Sequence, residues 1–125
     1  MHGILKAFRD AWNGLVYAIR TQRNIKIHLA LALITLIVSW VLHISPIEWI
    51  IVLFCMGLII GLECINSSLE ELTNIVSPHF DTRAGRVKDL AAGAVLMASI
   101  FVFIIGLILF IPKIWILFFP NTHAG

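Results

Sequence analysis

The hydrophobic and polar positions divide the chain into four stretches. From Gly3 to Arg20, Leu5, Phe8, Trp12, Leu15 and Ile19 recur at the spacing of one helical face, while Lys6, Asp10, Asn13 and Arg20 fall on the other side. The pattern predicts an amphipathic helix over residues 3–22. With Trp, Phe and Leu opposite polar groups, it suits the membrane interface. The run IHLALALITLIVSWVL, Ile27 to Leu42, contains no Asp, Glu, Lys or Arg. With its flanks it reaches the roughly 20 residues needed to cross a bilayer, which places a first span over 25–43.

HISPIE ends that span. Ser45 and Glu48 have the spacing of a capping box, and Pro46 takes the first helical position. A second helix therefore starts at Pro46, and no breaker follows until Ser77-Pro78. A helix over 46–76 would extend roughly 46 Å, against a hydrocarbon core of about 30 Å. Its last third must leave the lipid. A third span over 82–111 begins in the polar segment DTRAGRVKD. Gly85, Ala91, Ala92, Gly93, Ala94 and Ala98 make its first half narrow, which favours close helix packing. PKIWILFFP then predicts a short aromatic interfacial tail within 112–125.

Composition supports an all-α integral membrane protein. The chain is 60% hydrophobic and 13% charged, where a soluble domain carries about a quarter charged residues. Its 125 residues suit a single membrane domain over 1–125. The start, MHGILKAFRDAWNGL, scatters charges through what would be the apolar core of a secretory leader. A net charge of +2 gives no argument for a nucleic-acid partner. Cys55 and Cys64, on one helix, would lie about 13 Å apart, too far to bridge. Lys6, Arg9, Arg20, Arg23 and Lys26 precede the first span, and Arg83, Arg86 and Lys88 lie in the second loop. The first loop has no Lys or Arg, and the tail has Lys113. Positive charge thus predicts a cytoplasmic N-terminus and an external C-terminus.

The chemistry concentrates in LECINSSLEEL. Fourteen uncharged residues, Trp49 to Leu62, lead directly into Glu63. At about 100° per residue, Glu63, Asn66, Ser67, Glu70 and Asn74 share one stripe roughly 100° wide. Ile65, Leu69, Leu72, Ile75 and Val76 occupy the opposite arc. A carboxylate next to hydrocarbon usually faces a protein interior or a wet cavity. Glu71 reads instead as part of a solvated face, and His28 as an interfacial side chain. Arg86, Lys88 and Asp89 come from the facing loop. Carboxylates that hold a divalent cation beside basic groups that hold phosphate suggest phosphoryl transfer. Ion transporters also use seams of acids and amides.

The pattern E-x-x-N-x-x-x-E at Glu63, Asn66 and Glu70, followed by KDLAAGAV at Lys88 to Val95, resembles the prokaryotic diacylglycerol kinase and undecaprenol kinase family. RNIKIH, Arg23 to His28, looks like that family's lead into the first span, and the resemblance covers roughly Phe8 to Phe110. It implies a homotrimer in the bacterial cytoplasmic membrane, with a surface helix, three spans and active sites shared between subunits. It implies transfer of the ATP γ-phosphate to a membrane lipid alcohol, with Mg²⁺. By resemblance Glu63 is the general base and Asn66 helps position it. Glu70 and the position of Gln22 hold metal. Lys88, Asp89, His79, Phe80, Asp81 and Asp10 contact nucleotide, and Ser67 joins Glu63 at the lipid substrate.

Three positions depart from the family pattern. Gln22 and Asn74 replace carboxylates, and His79 stands where an acid is common. Gln and Asn keep a carbonyl oxygen but lose the charge. RNIKIH and AAGAV look closer to the undecaprenol branch. Three readings stay open at this point: a lipid kinase, a small ion-coupled transporter, and a degenerate family member acting as a membrane scaffold.

Overall fold

The computed structural model describes residues 2–123; Met1, Ala124 and Gly125 lie outside them. Four α-helices follow one another: α1 His2–Thr21, α2 Arg23–Val41, α3 Pro46–Val76 and α4 Thr82–Phe118, then a short 3₁₀ turn Pro120–His123. Three of them, α2, α3 and α4, are long and apolar enough to cross a membrane. Helix α3 is the centre of the arrangement. It packs on α4, α2 and α1, whereas α2 and α4 do not contact each other. They flank an apolar groove of about 660 Å³, walled by residues such as Leu31, Ala32, Val52, Ile59, Phe103 and Phe110.

Each junction has a local cause. Helices α1 and α2 are separated by Gln22 alone, whose extended backbone (φ −104°, ψ 114°) turns the chain. The chain nevertheless stays tightly bonded there: Gln22 N–H donates to Ala18 O, and Lys26 N–H to Gln22 O. The first span thus begins at Arg23, so the polar RNIK segment belongs to the helix, which is 19 residues long. Its far end closes with a Schellman motif: Ile44 N–H donates to Ser39 O and His43 N–H to Trp40 O. The turn requires a left-handed residue, and His43 occupies it at φ 49°.

Helix α3 starts as its sequence dictates. Ser45 Oγ accepts from Glu48 N–H at 3.2 Å, and Ser45 N–H donates to Glu48 Oε2 at 2.9 Å. The box satisfies two N–H groups at the helix start, and Pro46 at the first helical position has none to satisfy. The helix ends at Ser77, before Pro78. Asp81 caps α4, accepting from Arg83 N–H at 2.8 Å.

The third span corrects the expected boundary. The helix does not stop at residue 111: it continues through Pro112 to Phe118, so most of the expected aromatic tail is helical. A proline inside a helix removes one backbone hydrogen bond. Ending the helix beside lipid would expose several polar groups, which is more costly. Lys113 gives the continuation a second support, its Nζ lying 3.0 Å from Glu48 Oε2 at the start of α3.

The His43 turn makes the fold testable. An L-residue in the left-handed region costs roughly 1–2 kcal/mol, part of which glycine returns through its freer unfolded chain. His43→Gly should therefore raise the unfolding free energy by roughly 0.5–1 kcal/mol in a denaturant titration of the detergent-solubilised protein. A loss of stability would mean that the histidine side chain, not the backbone, holds the turn.

Candidate active site

The seam of α3 runs from a covered to an uncovered environment. Glu63 is 3% exposed and Ser67 is 8% exposed, Asn66 is half-buried, and Glu70 and Asn74 are exposed. All belong to one helical stripe, so the change comes from the helix emerging past its neighbours.

The buried end holds a polar contact that the sequence reading missed. His28, on α2, places Nε2 3.3 Å from Glu63 Oε1. The second carboxylate oxygen, Oε2, is buried and has no hydrogen-bond partner. His28 also lines the apolar groove, so it stands where groove and carboxylate meet. The sequence reading of His28 as a hydrogen-bonded residue near the entry of the first span thereby gains a specific partner. The signal was present: His28 is the one titratable residue in the run from Ile27 to Leu42. Its partner became visible only when α2 was packed on α3.

The exposed end joins α3 to the two other sequence-predicted regions. Lys88 Nζ donates to Asn74 Oδ1, linking α4 to α3. Asn74 offers a neutral acceptor, so the contact orients the ammonium without cancelling its charge. From α1, Tyr17 Oη donates to Glu71 Oε1 at 2.6 Å. Glu71 is exposed, as expected of a solvated face, and also ties the first helix to the α3 extension. The Glu71 carboxylate pushes the Tyr17 phenol above its ordinary pKa, chiefly by accepting this hydrogen bond.

Phe80, Asp81 and Asp89 meet in a shallow cleft with Arg86, Thr82 and Gly85. Phe80 is 96% exposed. Arg83 lies 3.1 Å from Asp81 and holds that carboxyl below its ordinary pKa through a side-chain hydrogen bond. His79 is exposed in the same loop, its carbonyl accepting from Ser77 Oγ. Lys88 faces Asn74 rather than joining this cleft's lining, whereas Arg86 does line it. Asp10 lies exposed on α1, and Gln22 is half-buried at the α1–α2 elbow, its side chain not used for capping. Among the described residues, no three His, Cys, Asp or Glu side chains converge as a metal cage.

The arrangement combines a buried carboxylate with one unengaged oxygen, exposed acids and amides further along the same helix, and a cleft at the start of α4 lined by Arg86 together with Asp81 and Asp89. A sequence model described as prokaryotic diacylglycerol kinase matches residues 9–110. The undecaprenol kinase of Bacillus subtilis is 33% identical over 114 residues, covering 91% of this chain and 93% of that one. A diacylglycerol kinase of Synechocystis sp. is 35% identical over 112 residues, covering 89% of this chain but 64% of its own longer length. The diacylglycerol kinase of Escherichia coli K12 is 26% identical over 97 residues, covering 78% and 80%. With a family match spanning most of its length, and with three helices able to cross a membrane, the chain belongs to the prokaryotic diacylglycerol kinase family of lipid kinases.

Proposed function

We propose that this protein transfers the γ-phosphate of ATP to the hydroxyl of a membrane lipid, with undecaprenol as the preferred acceptor and diacylglycerol as the alternative. Membership of a lipid kinase family supports the reaction class. The preference draws on the near full-length match to an undecaprenol kinase and on the RNIKIH and AAGAV segments. The observation that carries the mechanism is the unpartnered Oε2 of buried Glu63. A hydroxyl that donates to Oε2 would satisfy that oxygen and present its own oxygen to phosphorus.

In the transfer, the lipid oxygen forms a bond to the γ-phosphorus as the bond to the ADP oxygen breaks. ADP leaves with the bonding electron pair, and the hydroxyl proton passes to Glu63. Asn66, one turn on and half-buried, steadies this end of the seam, and Ser67 contributes a hydroxyl beside it. Lys88, oriented by Asn74, meets polyphosphate with its charge uncompensated. Phe80, Asp81, His79 and Asp89 form the nucleotide side of the loop, joined by Arg86, while Asp10 approaches it from α1.

The donor set suits a magnesium ion carried by the nucleotide. Mg²⁺ keeps phosphate and water ligands and commonly takes one or two groups from protein. Exposed Glu70 and the amide oxygen of Gln22, half-buried at the α1–α2 elbow, would supply those groups. When bound, the ion would offset charge on the phosphate oxygens.

In the membrane, α1 lies at the cytoplasmic surface with Ile4, Leu5, Phe8 and Trp12, all exposed in the single chain, turned toward lipid. The N-terminus and the loop 77–81 are cytoplasmic and the C-terminus external. Helix α4, exposed along most of its length in one chain, is covered by lipid and by neighbouring subunits of a homotrimer.

Glu63→Gln, nearly isosteric, should keep fold and assembly and lower lipid phosphorylation by about 10²–10⁴-fold. Turnover near the wild-type level would move the base elsewhere. Gln22→Glu should lower the Mg²⁺ concentration for half-maximal activity by about tenfold, equivalent to roughly 1.4 kcal/mol. The gain should disappear in a Glu70→Gln background if both residues act on one ion. An unchanged Mg²⁺ titration would remove Gln22 from the metal site.

A further inference from the structure

We propose that His28 is the positioning residue of the phosphoryl-transfer base, holding Glu63 Oε1 so that Oε2 is the oxygen offered to the acceptor hydroxyl. The inference rests on the reading of Glu63 as base and assigns a role to a residue on a different helix.

The two carboxylate oxygens of Glu63 have different surroundings. Oε1 lies 3.3 Å from His28 Nε2, whereas Oε2 is buried without a partner. The Glu63 side chain is 4% exposed and that of His28 is 23% exposed. Among the described residues this is the one ion-pairing contact of either side chain: Lys26 on α2, Cys64 and Glu70 on α3, Tyr17 and Arg20 on α1 and Lys88 and Asp89 on α4 form no salt bridge with them. A buried carboxylate left without a partner is costly in an apolar setting. Among the described residues, His28 is thus the single side chain within ion-pairing distance that can fix its rotamer.

With its proton on Nε2, the imidazole donates toward Oε1. The separation is within ion-pairing range, and such contacts commonly shorten when substrate closes the site. Helix α2 is continuous through His28, and Ile25, one turn before it, is 1% exposed, so the ring is carried next to a packed position. The carboxylate is therefore pinned from α2 while it reacts on the other side. In the transfer the proton of the lipid hydroxyl goes to Oε2 and the lipid oxygen bonds to phosphorus. His28 exchanges no atoms in that step. Its contribution is aim, and a misplacement of about 1 Å at a reacting group costs about 10²-fold.

The test compares His28→Leu with His28→Gln, whose side-chain N–H₂ can reach where Nε2 stood. His28→Leu should lower kcat by about 10²-fold and leave KM for ATP within about twofold; His28→Gln should recover at least about tenfold of that loss. Equal impairment in both variants, or a change confined to KM, would overturn the assignment. A second readout needs no turnover. In protein labelled with ¹⁵N-histidine, the His28 ring nitrogen resonances should move on Glu63→Gln and hold still on Glu70→Gln. Unmoved resonances in Glu63→Gln would remove the contact itself. This measurement keeps His28 in place, so a folding defect in His28→Leu leaves it decisive. The two claims fail separately: wild-type turnover in Glu63→Gln removes the base, whereas a dead Glu63→Gln beside a fully active His28→Leu removes only the positioning role.

Discussion

A carboxylate buried among apolar helices constrains everything around it. At the centre of a spanning helix an acidic side chain costs roughly 2.5–3.5 kcal/mol on insertion scales. Glu63 follows an uncharged run of fourteen residues and is 3% exposed. Such a group needs a partner, and α2 provides one in His28. That requirement fixes the rotation of α2 against α3, because only one face of α2 carries the imidazole. It also leaves Oε2 as a defined vacancy in the polar bonding of an otherwise apolar bundle.

The other helices are attached to α3 by the same device. Tyr17–Glu71 joins α1, Lys88–Asn74 joins the start of α4, and Lys113–Glu48 joins its end. Four polar contacts therefore connect α3 to every other helix of the bundle. Packing of apolar side chains in lipid is weakly directional, since lipid tails are as apolar as leucine. Polar contacts at defined heights supply register that apolar packing lacks. Two of them, Tyr17–Glu71 and Lys88–Asn74, sit beside the exposed acids of the seam, so the pieces that set register also frame the nucleotide side of the proposed site.

Much of this was legible before any packing was known. Pro46 with the Ser45–Glu48 box marked the start of α3, and Ser77-Pro78 its end, because both signals act within a few residues. The stripe of Glu63, Asn66, Ser67 and Glu70 followed from helical periodicity alone. Pro112 misled, since a proline ends most helices in water but need not do so beside lipid, where unpaired backbone is dearer. His28 and Glu71 were read from their own neighbourhoods and given bland roles. Their partners lie 35 and 54 positions away respectively, and no local pattern encodes which faces of two helices will meet. The resemblance supplied roles for Gln22, Lys88 and the 79–81 loop, while the structure added that Lys88 is held by a neutral Asn74.

If the unpartnered Glu63 Oε2 receives a lipid hydroxyl, that lipid becomes the acceptor of phosphate. The most direct measurement is transfer of ³²P from γ-labelled ATP, using the purified protein in detergent with undecaprenol and diacylglycerol offered separately. Label should appear in lipid, faster with undecaprenol, and only when Mg²⁺ is present. Label in neither lipid, from protein that remains folded and assembled, would contradict it.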